Sequence, residues 1–147
     1  MKRLPTLFAC LGLVILLGGP TAAEEKKEDP KAMNGLWNVE KATFRGTDAT
    51  DAFKEAKLTI ADGKYSVEFS GQTDEGTLKL DATKKPKSMD IVGTEGPNKG
   101  KTFPSIYELD GDILKICYTL EGKDRPAGFE SKEGTETLLV TYKRAKK

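Results

Sequence analysis

A chain of 147 residues with 24 basic and 23 acidic side chains has the length of one globular domain. Its net charge of +1 is spread along the chain, which leaves no electrostatic footprint for nucleic acid or an anionic membrane surface. There is no histidine, so the commonest general base, the commonest metal ligand and the usual Ser-His and Cys-His nucleophile pairs are missing. No catalytic residues, metal site or cofactor are expected.

Residues 1–23 read as a secretory signal peptide. Lys2 and Arg3 precede an apolar stretch from Leu7 to Leu17, Gly18-Gly19-Pro20 break it, and Thr21-Ala22-Ala23 offer small residues for cleavage. The apolar run is too short to span a bilayer. Cys10 raises a lipid anchor as the alternative, but Phe8 is bulky for such a site and the apolar run continues past it. A plain leader and a secreted or periplasmic destination are therefore expected. Cleavage would leave Cys117 as the only cysteine, so no disulfide could form within the chain. Residues 24–34 are charged and read as a flexible tether, followed by one domain over 35–147.

That domain breaks into short runs of alternating apolar and polar residues separated by turn residues, the pattern of an all-β sandwich or barrel. Strands are expected over Leu36–Phe44, Lys57–Ala61, Lys64–Phe69, Gly76–Leu80, Met89–Thr94, Thr102–Leu109, Ile113–Thr119 and Glu136–Arg144. One or two helical turns are expected over residues 51–56, in the first long connection, after an Asp or Thr cap. Asp62-Gly63 and Asp110-Gly111-Asp112 read as tight turns. Period-two parity turns Trp37/Val39, Leu58/Ile60, Tyr65/Val67/Phe69, Leu78/Leu80, Met89/Ile91, Tyr107/Leu109, Leu114/Ile116/Tyr118 and Leu138/Val140/Tyr142 inward. One buried and one wet face over eight strands predict an antiparallel up-and-down sheet closed on itself, with a bore that side chains fill or that holds one small ligand. Trp37 at the start of the first strand and Arg144 at the end of the last are placed to seal one end through a cation–π contact.

Gly35-Leu36-Trp37 with Arg144 resembles the lipocalin/calycin signature of a Gly-x-Trp on the first strand and an Arg on the last. More closely, the chain resembles a lipocalin-like domain family of uncharacterised secreted proteins common in planctomycete bacteria. The matching stretches include Gly35-Leu36-Trp37-Asn38-Val39, Glu75 to Asp81, Lys84-Lys85-Pro86-Lys87, Thr94-Glu95-Gly96-Pro97, Ile106 to Asp112, Leu114 to Cys117, Arg125-Pro126 and Phe129. The resemblance implies the barrel, with Gly35, Trp37 and Arg144 closing it, and no established activity.

Up-and-down order sorts the two ends. Trp37, Tyr65, Tyr107, Tyr142 and Arg144 are expected at a closed base. The longest connections, Arg45 to Ala56 and Glu121 to Gly134, are expected over the other end. Phe69, Phe103 and Tyr118 should stand at that rim, with Phe44 near it and Phe53 and Phe129 on the covering loops. Phe69, Phe103, Tyr118, Phe53 and Phe129 are the candidate ligand-binding residues, although the same rings could equally plug the barrel.

Other motifs read as structure. Gly96 to Thr102 has one residue too few between its glycines for a phosphate loop and is followed by a strand. Asp110 and Asp112 fit a turn without calcium, and Lys84 to Lys87 a solvated turn. Cys117 falls on the outward parity and reads as a small apolar residue under a loop. The expected function is a secreted barrel binding a small apolar or amphipathic molecule at its loop end. The alternative is a filled barrel acting as an interaction module of the cell envelope.

Overall fold

The computed structural model describes residues 30–121 and 123–146. The leader and Cys10 lie outside them. The elements are a 3-10 turn η1 (Pro30–Met33), β1 (Gly35–Phe44), β2 (Thr47–Asp48), α1 (Thr50–Phe53), β3 (Lys57–Ala61), β4 (Lys64–Phe69), β5 (Gln72–Asp81), β6 (Ser88–Glu95), β7 (Thr102–Asp110), β8 (Ile113–Thr119) and β9 (Thr137–Arg144). Strands β1 and β3 to β9 pair antiparallel in chain order, and β9 returns to β1, so the sheet is a closed eight-stranded barrel. The two-residue β2 folds back on the end of β1 through Arg45-Gly46. Among the described residues no helix is long and apolar enough to cross a membrane.

The hairpins are as tight as the turn residues demand. Asp62-Gly63 and Ser70-Gly71 both sit at positive φ, which matches the strand twist in two-residue turns. The helical segment is shorter than expected and begins a residue earlier. Ala49, at its N-cap, makes no side-chain cap; the Asp48 carboxylate instead accepts the Thr50 N–H at 2.8 Å. A bulge between Val39 and Lys41 settles the parity of β1. Trp37 and Val39 face inward before it, and Ala42 and Phe44 join the interior after it.

The base is closed as the Trp–Arg pairing predicts. Trp37 is fully buried, and the Arg144 guanidinium carbon lies 4.2 Å from its ring centre. Arg144 also donates to the carbonyls of Asn34 and, at 2.8 Å, Ala32, and to the Asp112 carboxylate at 3.0 Å. At Gly35 φ is +140°, a conformation that favours glycine, and a Cβ there would stand 2.9 Å from the end of the Arg144 side chain. The expected tether is too long at its C-terminal end. Met33 is 1% exposed and packs with Trp37, Leu58, Met89, Tyr107 and Leu114, and its carbonyl accepts the indole N–H at 2.9 Å. A lone methionine in a charged run has no periodicity to announce it.

The connection from β8 to β9 departs from the expectation that it covers the mouth. It lies against the outside of the barrel wall. Arg125 donates to the carbonyls of Met89 (3.1 Å) and Ser105 (2.6 Å) and pairs with Asp90 at 2.6 Å. The Gly128 and Glu130 carbonyls each lie 3.7 Å from the Cys117 sulfur. Outward-facing Ile106 and Cys117 are thereby buried, at 1% and 0% exposure. Burial pushes the Cys117 thiol pKa up, away from the reactive thiolate. Cys117 should therefore resist a water-soluble thiol reagent in the native protein and react fully on unfolding. Arg125→Ala should raise the native rate about tenfold by loosening the covering segment. Native labelling at the unfolded rate would contradict the cover.

Candidate functional site

The barrel interior beyond Trp37 and the loop end above it hold two adjoining spaces that share part of their walls. An inner chamber of about 80 Å³ is walled by Leu58, Ile60, Leu78, Ile91, Phe103 and Ile116. An outer vestibule of about 290 Å³ is bounded by Phe53, Phe69, Gln72, Pro97 and Leu138. Val67, Asp74, Asn98, Tyr118 and Tyr142 line both. The vestibule approaches the roughly 300 Å³ at which small-molecule sites begin.

Local sequence explains the walls. Alternation on β3, β4 and β8 turns Leu58/Ile60, Tyr65/Val67 and Ile116/Tyr118 to the interior. Helix α1 is held across the top of β1 by the Ala49 N–H on the Ala42 carbonyl at 2.8 Å and the Ala42 N–H on Thr50 Oγ1 at 3.1 Å. From there Phe53 stacks on Phe69 with ring centres 5.8 Å apart and planes 18° apart. Phe103 and Tyr118 form a second, tilted pair at 5.7 Å. Such pairs contribute about 0.5–1.5 kcal/mol beyond their buried area.

Four of the five candidate binding residues thus reach these spaces: Phe103 the inner one, Phe53 and Phe69 the outer, Tyr118 both. Phe129 does not. It sits half-buried within the segment that covers Cys117 on the outer wall. Two aromatics expected at the base pack with the Trp37 cluster and also reach beyond it. Tyr65 and Tyr142 line the inner chamber, and of the three tyrosines placed at the base only Tyr107 lines neither space.

The polar group at the junction of the two spaces went unrecognised in the sequence. Strand β5 begins at Gln72, four residues before the expected start, and its inward parity carries Asp74 into the bore with Gly76 and Leu78. The Asp74 carboxylate accepts the Tyr65 hydroxyl at 3.1 Å, the Asn98 side-chain amide at 3.0 Å and the Asn98 backbone N–H at 3.1 Å. The Gly96 to Gly100 turn is what brings Asn98 and Pro97 over the mouth, and Gly93 holds it there through the Gly100 N–H at 2.9 Å. Extending the parity of the fourth expected strand by one pair would have found Asp74. Nothing local points to Asn98.

Burial raises the tyrosine hydroxyls. Tyr65 is pushed up first by desolvation, then by the charge and hydrogen bond of Asp74. Tyr118 is raised to about 12 by burial and by the Asp74 charge, and Tyr142 is raised by burial and by Tyr118. All three stay protonated at neutral pH, so each can donate.

These features define a small closed antiparallel barrel with an apolar chamber and one polar junction at its open end. No protein-family model matches the chain, and no curated protein matches it. Among solved structures it is similar to a DUF4847 family protein from Bacteroides vulgatus, at 17% identity over 78% of this chain and 94% of that one, with a TM-score of 0.47.

Proposed function

We propose that this protein is a secreted, lipocalin-like binding protein, rather than an enzyme, that takes a small apolar or amphipathic molecule into the barrel at its loop end. One observation carries the reading: the apolar chamber continues into a vestibule framed by Phe53, Phe69 and the Asn98 turn. Sites of this kind join a mostly apolar lining to a few fixed polar groups. The Gly35, Trp37 and Arg144 closure supports kinship with the lipocalin-like family, and the leader read over residues 1–23 supports export.

Uptake of a neutral fluorescent probe such as N-phenyl-1-naphthylamine tests the reading. The wild type should bind it with a blue shift and saturation. Val67→Phe, which adds bulk where both spaces meet, should weaken uptake about tenfold while the protein stays folded. No saturable uptake by the wild type would favour the filled-barrel envelope module instead. Native mass spectrometry of protein from its own host would then look for a retained mass.

A further inference from the structure

From the charge inside the barrel we infer that the ligand is an amphipathic amine, its ammonium group seated on Asp74 and its apolar part in the inner chamber. This rests on the binding role proposed above and adds the chemical class of the ligand.

Among the residues lining the two spaces, Asp74 alone carries a charge, and no Lys or Arg is among them. Its three hydrogen-bond donors, from Tyr65 and Asn98, are all neutral. Asp74 is half-buried at the mouth of an apolar bore with no cation among the lining residues, so an ammonium group there would gain a charge-assisted hydrogen bond. An ionised carboxylate accepts about four hydrogen bonds, and three are taken here. The surroundings match the same ligand. Tyr118 and Tyr142 line both spaces, and their hydroxyls make no hydrogen bond to any described residue. Burial is the main cause of the raised Tyr118 pKa, and the nearby Asp74 carboxylate adds to it. Phe53, Phe69, Phe103 and Tyr118 supply aromatic surface along the two spaces. An anionic ligand would meet the like charge of Asp74 with no Lys or Arg among the lining residues to offset it. The 80 Å³ inner chamber limits the tail to a short alkyl or single-ring group.

The test compares three probes of one shape at pH 7 by calorimetry or NMR titration: 2-phenylethylamine, 2-phenylethanol and 3-phenylpropionate. The amine should bind about tenfold to a hundredfold more tightly than the alcohol, the span expected of a charge-assisted hydrogen bond. The carboxylate should bind worst. Asp74→Asn, which removes the charge and keeps one acceptor oxygen, should erase the preference for the amine over the alcohol. Should that variant fold poorly by circular dichroism, the wild-type ranking alone decides. Equal binding of amine and alcohol, or preference for the carboxylate, overturns the amine assignment while leaving a binding barrel in place. Binding of none of the three, together with no uptake of the neutral naphthylamine, overturns both.

Discussion

Trp37→Ala should lower the free energy of unfolding in urea by about 3–5 kcal/mol, the range for removing a buried large aromatic side chain. The indole is fully buried, packs among Met33, Leu58, Met89 and Leu114, and ties η1 to β1 through Met33. Its removal would also strip the ring from beneath Arg144, leaving that guanidinium over a hole. Trp37→Phe keeps part of the packing and loses the hydrogen bond, so it should cost less than half as much. A midpoint unchanged by Trp37→Ala would mean that the base is held by the hydrogen bonds of Arg144 alone.

Gly76→Ala should be the most damaging single methyl in the wall, at or above the upper end of the ~1–3 kcal/mol that overpacking costs. A Cβ at this position would stand 1.9 Å from the Val92 carbonyl oxygen and 2.7 Å from the Tyr65 ring. Backbone on the neighbouring strand cannot yield as a flexible side chain does. The register shift between Glu75 and Gly76 brings β5 and β6 this close. Moving the Tyr65 ring would also break its hydrogen bond to Asp74, so the variant should lose probe uptake as well as stability. Gly71→Ala is the control. That residue has φ +76° with open space around it, so only backbone strain of about 1–2 kcal/mol is expected, with uptake intact. Equal costs at the two positions would show that the β5–β6 approach imposes no steric limit.

Much of this architecture is a consequence of local pattern. Period-two alternation in Leu58/Ile60, Tyr65/Val67 and Ile116/Tyr118 depends only on strand geometry, so the inward lists hold when the chain folds. Asp62-Gly63 sets its turn through the conformations of two adjacent residues. Closure by Trp37 and Arg144 was legible because an up-and-down order puts the start of the first strand beside the end of the last.

What the tertiary structure alone decided depends on where distant segments come to rest. The long connection after β8 lies on the outer wall because Arg125 finds two carbonyls and a carboxylate there, and this carries Phe129 away from the mouth. Met33 enters the core because the indole N–H draws its carbonyl in. Asp74 becomes the charge at the junction only when the Asn98 turn, 24 residues later, closes over it. Alternation records which side of a strand a residue faces, whereas a hydrogen bond between remote segments leaves no period in the chain. The barrel and its base were therefore written locally, and the chemistry of its mouth was settled by contacts that exist only in three dimensions.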